Sequence, residues 1–288
     1  MKTRIFILSL LIAVMGCTAS IEVQATPATS AATKVKMHVY NELSAFERVS
    51  INIPVQVLVE QSDCYSVEVT MPLTAPDNLN IVSEDGCLKI NTRHSRVRFN
   101  GKSVFIKIKA PIVYEYKVNG SAQVVVNHEV NTGDRAFTTE INGSGSVSVA
   151  QVVAPEFKAE VNGSGKLNFA SVAASESARL VVNGSGKAHV GNMVSMTTHL
   201  TLHGSGKVNA DRVATPNLKA SISGSGRIAV GGVADKTYFE VLGSGVIDAP
   251  NLETNEINNK KWKSEMKNKV VSFKMHAQLT KYNFQTIT

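Results

Sequence analysis

Aromatic residues are scarce in this chain, at 6% with a single Trp among 288 residues, and charged residues reach only 18%. With so few large rings the core has to be built from smaller side chains. The abundance of Val, Ala, Ser, Asn and Thr favours strands and tight turns over helix bundles. A hydrophobic content of 43% is still ample for a folded body, and nothing in the balance points to disorder. The chain also lacks any Lys/Arg run interleaved with aromatics, which argues against a nucleic-acid partner. Its formal charge of +7 is mild and falls to +5 if Lys2 and Arg4 leave with an N-terminal leader. Cysteine is limited to Cys17, Cys64 and Cys87. No nearby Cys or His completes a tetrahedral set with Cys64 and Cys87, so in an oxidising compartment that pair is expected to form a disulfide rather than a metal or catalytic site.

The opening MKTRIFILSLLIAVMGC carries Lys2 and Arg4, then about a dozen apolar residues, then small ones, which is the layout of a secretory signal and too short for a membrane span. Gly16-Cys17 after Val14-Met15 resembles a bacterial lipobox, in which the chain is cut before a lipid-modified Cys17. Cleavage after Ala19 or Ala25 is the ordinary alternative. Residues 18–33, TASIEVQATPATSAAT, have no periodicity and read as a flexible tether. The expectation is a signal over 1–16, a tether over 17–33, and an exported outer-membrane lipoprotein of the cell envelope.

What the chain has in excess is one motif. Gly-Ser-Gly occurs at Gly143-Ser144-Gly145, Gly163-Ser164-Gly165, Gly184-Ser185-Gly186, Gly204-Ser205-Gly206, Gly224-Ser225-Gly226 and Gly243-Ser244-Gly245, and Gly120 begins a weaker copy. The interval of roughly 20 residues lies at the short end of solenoid periods. Aligned on the first Gly, the preceding apolar column is Ile141, Val161, Val182, Leu202, Ile222 and Val241. After the motif come Val147, Leu167, Ala188, Val208, Ile228 and Ile247, with a further apolar column two residues on. The period within each segment is two, as a strand requires. A later column, Val152, Val172, Met193, Val213, Val233 and Leu252, follows a break, so each unit divides into two or three short strands.

A unit this short cannot bury its own apolar face, whereas coils stacked at about 4.8 Å share a continuous core. The pattern therefore predicts an all-β solenoid. No repeat supplies the leucine-rich pattern, and a propeller blade needs roughly twice the period. The glycines are expected at a sharp corner where backbones approach closely. Asn119, Asn142, Asn162 and Asn183 stand just before it and are expected to stack as an amide ladder, a column that then decays to His203, Ser223 and Leu242. Over 34–116 the same alternation runs without the motif, predicting less regular coils ahead of the repeats at 117–256. The segment 257–288 is expected to form a C-terminal cap or tail, with a short helix in NNKKWKSEMKNK and strands at VVSFKM and YNFQTI.

EDGCLKI, PIVYEYKVNGSA and the run of N-G-S-G motifs together make roughly 40–250 similar to the family described as putative auto-transporter adhesin, head GIN domain. The resemblance implies a right-handed parallel β-helix related in shape to pectin lyases, without recognised catalytic residues. It also implies a role in cell adhesion, export from Gram-negative cells and frequent lipid anchoring. The tail from 257 and the loss of Asn in the last motifs depart from the commoner pattern.

Candidate chemistry is thin. GSGK lacks the earlier Gly and the following Ser or Thr of a phosphate loop, since Lys166, Lys187 and Lys207 precede Leu167, Ala188 and Val208. Glu140 and Glu160 share a repeat position and are the best enzymatic candidates, as a carboxylate pair acting on an acidic polysaccharide or a calcium site. Their column continues as Val181, Thr201 and Ser221, and nearby Lys158 offers a simple surface network instead. His189, His199 and His203 are not expected to form a zinc site, because adjacent strand positions face opposite sides. The four Asn-Gly-Ser sequons fall in the packed corner, a poor place for a glycan. No cofactor, no metal and no enzymatic activity are expected. The leading ligand-binding candidate is the column Lys166, Lys187, Lys207 and Arg227, which either splays into water and guards the sheet against aggregation or holds an anionic polysaccharide or cell-surface component.

Overall fold

The computed structural model describes residues 34–94 and 103–261. The expected signal, Cys17, the tether and most of the C-terminal segment lie outside these residues. The described part is an all-β solenoid of about seven turns, with coils about 20 residues apart and no helix.

The repeats form the regular body. Strands β11 (Ser146–Gly163), β12 (Lys166–Gly184), β13 (Lys187–Gly204), β14 (Lys207–Gly224) and β15 (Arg227–Leu242) run almost a full coil each and pair in parallel, each with the next. Burial divides the coil into three sides. In β12 the inward residues are Leu167 and Phe169, then Val172 and Ala174, then Ala178, Leu180 and Val182, with alternation broken between the groups. The third corner is Gly-Ser-Gly. Val161, Val182 and Leu202 lie in direct register and are fully buried, so the apolar column before the motif is one continuous ladder. Burying such a side chain contributes roughly 1.5–3 kcal/mol, and the coils repeat that gain. Rings fill the earlier coils, where Phe137 stacks on Phe157 at 5.9 Å and Phe169 meets Phe157 edge-on at 4.9 Å. Beyond them, Ala178, Thr198 and Leu218 follow Phe157 in register.

The first side of each coil is thus the segment just after the motif, and the third side the segment just before it. One expected core position differs. Gly232, not Val233, continues the column of Val213 and pairs onward with Leu252, because the register shifts between Ala210 and Val213. Val233 is turned outward and is 43% exposed.

At the N-terminal end the coils do not stack in chain order. β2 (Arg48–Ile51) lies between β6 (Cys87–Thr92) and β8 (Glu115–Gly120), and β3 (Gln56–Gln61) lies between β7 (Phe105–Ala110) and β9 (Gln123–Asn131). The later coil, β6 and β7, is therefore the outer one. β4 (Ser66–Pro72) runs antiparallel to β7 and to β1 (Val35–Tyr40), and β5 (Leu79–Glu84) runs antiparallel to β6. These reversed strands cover the edge that a bare stack would leave open. β10 (Phe137–Gly143) links β8 to β11. At the other end β16 (Val246–Asp248) and β17 (Leu252–Lys261) pair with β15. The strand β17 runs through the boundary expected at 256, so residues 257–261 are strand, not helix.

Cys64 and Cys87 are both free, contrary to the expected disulfide. Cys64 is exposed in the turn between β3 and β4. Cys87 opens β6, opposite Glu84 and Arg48. Its surroundings are Arg48, Glu115, Lys89 and the Ser50 backbone, and burial pushes its thiol up, which disfavours the reactive thiolate.

Candidate functional site

The outer surface is built upon the corner, and its two glycines serve different needs. The first Gly of each motif has positive φ, +118° at Gly204, and a Cβ there would lie 2.5 Å from the Gly184 carbonyl oxygen. The second has no such φ, but a Cβ on Gly206 would lie 2.5 Å from the Gly186 oxygen and 3.0 Å from Val182 Cγ1. Between them the Ser amide donates to the first Gly of the preceding coil, as Ser185 does to Gly163 at 3.0 Å, while the Ser side chains face solvent.

Beside the corner runs the amide ladder. Asn183 donates to Asn162 at 2.8 Å, Asn162 to Asn142 at 3.0 Å and Asn142 to Asn119 at 2.9 Å. It extends further than the motif shows. Asn119 donates to Asn52 and Asn52 to Asn91, each at 2.6 Å, so six amides are joined. The four sequon asparagines are committed to this ladder.

Glu140 and Glu160 stand side by side in register, yet both serve the ladder. Glu140 accepts from Asn142 at 2.7 Å and pairs with Lys117 at 3.1 Å, while Glu160 accepts from Asn183 at 3.0 Å. Burial pushes the Glu140 carboxyl up, but the hydrogen bonds from Asn142 and Lys117 and the Lys117 charge outweigh it and hold the group below the usual carboxylate range. That is the opposite of what a proton-donating carboxyl needs. Lys158 pairs with Glu156 at 2.5 Å instead of bridging the two. The three histidines occupy different columns. His189 contacts Asn168 and Asp211, each at 2.9 Å, whereas His199 lies between Arg179 and Lys219, and His203 between Asn183 and Ser223. Among the described residues no group of three or more His, Cys, Asp or Glu is placed to hold a metal.

Lys166, Lys187, Lys207 and Arg227 do come together, in consecutive register on the first side of the coil, with all four side chains exposed. Each backbone amide is pinned to the second Gly of the coil before, at 2.9 Å for Lys166 and 3.2 Å for Arg227. Arg227 pairs with Asp248 at 3.4 Å, and none of the three lysines has a carboxylate within pairing distance among the described residues. Adjacent strands sit about 4.8 Å apart, so the stripe is a dense line of like charge.

A second basic column lies on the third side and escaped the sequence reading. Lys158, Arg179, His199 and Lys219 are in register, followed by Tyr238. Each stands five positions before the first Gly of its motif, so the alignment that gave the first column contained this one as well. Burial pushes the His199 imidazole down, and the charges of Arg179 and Lys219 push it the same way. A shallow cavity of about 150 Å3 opens here, lined among others by Thr197, His199, Asn217, Lys219, Lys236 and Tyr238.

The profile of the family described as putative auto-transporter adhesin, head GIN domain, matches residues 45–210 and 169–264. The chain belongs to this family. No curated protein matches it. Among solved structures, a putative adhesin from Parabacteroides distasonis has 20% identity over 85% of this chain and 98% of its own, with a TM-score of 0.73. A putative adhesin from Parabacteroides merdae has 16% identity over 84% of this chain and 94% of its own, with a TM-score of 0.64. A protein from Parabacteroides distasonis described as a putative lipid binding protein has 20% identity over 75% of this chain and 96% of its own, with a TM-score of 0.61. At these identities the likeness is one of fold.

Proposed function

We propose that this head GIN domain protein is a non-enzymatic binding module exported to the cell envelope, and that the stripe of Lys166, Lys187, Lys207 and Arg227 holds an acidic polysaccharide. The observation that carries the reading is the stripe itself. Four cations repeat in register on one outer side, and its three lysines lack a carboxylate partner among the described residues. A line of unneutralised charge along a rigid sheet costs repulsion in the free protein and recovers it when a polyanion lies along it. Membership of an adhesin family supports a surface role. The engagement of Glu140 and Glu160 with the ladder speaks against their acting as an enzymatic carboxylate pair on an acidic polysaccharide.

Replacing all four cations by Gln tests this. Attachment to polygalacturonate should be lost with the fold intact, because the side chains stand in solvent. Raising salt should weaken the parent in the same way, since exposed charges are screened beyond about 8 Å at physiological ionic strength. Equal attachment of parent and variant at low salt would return the column to a solvated guard against aggregation. Cys17 is the proposed lipid site that holds the module to the membrane. Cys17→Ala should abolish metabolic labelling by palmitate, and a labelled variant would exclude Cys17 as the anchor.

A further inference from the structure

We infer that the cavity at His199, Lys219 and Tyr238 is a second binding site, which takes the carboxylate of a single acidic sugar unit on the third side of the coil. Its residues are distinct from those of the stripe, and it differs from the stripe in shape as well as place. The stripe is an open line; this site is a depression of about 150 Å3. A shallow depression of about 150 Å3 has room for the carboxylate-bearing edge of one ring, with the rest of the sugar in solvent, and not for several units of a polymer.

The walls set the chemistry. His199 and Lys219 line it from consecutive coils, and Lys219 has no carboxylate within pairing distance among the described residues. Lys219 Nζ sits 5.2 Å from the centroid of the Tyr238 ring, a cation–π contact that fixes the ammonium at the rim while leaving its remaining donors available. Lys236 adds a further cation, and Glu256 reaches it only at 3.9 Å. Of the rest of the lining, Leu218 is apolar and the other side chains are neutral and polar. Thr197 and Asn217 supply a hydroxyl and an amide, and Asn258, whose amide nitrogen donates to Glu256 at 3.2 Å, still offers its carbonyl oxygen. Cations gathered at one place call for an anionic group, and neutral donors and acceptors around them call for hydroxyls. A uronic acid ring carries both. Such a site, recognising one residue by shape and charge, supplies a selectivity that a line of exposed lysines lacks.

The test is an NMR titration of the processed protein, following the His199 and Tyr238 ring signals, with galacturonate, galactose and inorganic sulfate as probes. Galacturonate should shift both rings saturably, and galactose at equal concentration should leave them in place. Lys219→Gln, at an exposed position, should keep the parent spectrum elsewhere and weaken galacturonate at least tenfold. The variant lacking the four stripe cations should bind galacturonate here as the parent does, so failure of the stripe and failure of this site read out separately. Equal shifts with galactose, or unchanged galacturonate affinity in Lys219→Gln, would overturn the site. Sulfate binding as tightly as galacturonate would overturn the assignment to a sugar.

Discussion

Replacing glycines of the corner one at a time separates two physical causes that the motif superimposes. Gly120 and Gly204 have nearly the same backbone, φ +113° and +118°, but a Cβ on Gly120 would meet nothing within 4 Å, whereas on Gly204 it would lie 2.5 Å from the Gly184 oxygen. Gly206 has the crowding without the positive φ, with the Gly186 oxygen at 2.5 Å. Gly120→Ala should therefore show the conformational cost alone, roughly 1–3 kcal/mol, partly offset by about 0.5 kcal/mol from a less flexible unfolded chain. Gly206→Ala should show overpacking alone, about 1–3 kcal/mol. Gly204→Ala carries both and should cost about 3–5 kcal/mol, because the obstructing atom is backbone locked in a parallel ladder and cannot swing aside. Urea unfolding followed by circular dichroism gives the three values from midpoints at constant m. If Gly120→Ala were as damaging as Gly204→Ala, the close approach of coils would not be what demands glycine. A neutral Gly206→Ala would remove the packing explanation for the second position.

Asn162 accepts from Asn183 and donates to Asn142, so Asn162→Ala should break two ladder bonds and cost about 2 kcal/mol, against about 1 kcal/mol for Asn91→Ala at the ladder's end. Equal midpoints in urea for the two variants would show that the amides act independently of their place in the column. Glu140→Gln keeps an acceptor for Asn142 but loses the charge facing Lys117, a half-exposed pair worth about 1 kcal/mol or less at neutral pH. The folded-state carboxyl titrates below its unfolded value, so the parent's advantage is present above the ordinary carboxylate pKa and disappears as pH falls through the folded one. Parent and variant stabilities that stay parallel down to acid pH would contradict that linkage.

The sequence alone determined the solenoid, its period, and both the inward ladder and the outward stripe of the repeats. It could do so because each coil repeats the same local instructions: alternation of period two and a corner that only glycine fits. In-register stacking of identical corners then places Val161 against Val182, and Lys166 against Lys187, without further information. The second basic column obeyed the same rule and was as legible, though it mixes residue types, as Lys158, Arg179, His199 and Lys219, where the first column nearly repeats one. Only the tertiary structure decided what the repeat does not cover. It put β6 and β7 outside β2 and β3, brought Asn52 and Asn91 into the ladder, turned Val233 outward in favour of Gly232, and left Cys64 and Cys87 unbonded. Val233 was turned by a register shift within the repeats, while the other outcomes rest on which non-repeated edges meet, a pairing between distant segments that no periodicity along the chain records. The cavity at His199 has the same origin, since it exists only where coils carrying different side chains are brought into contact.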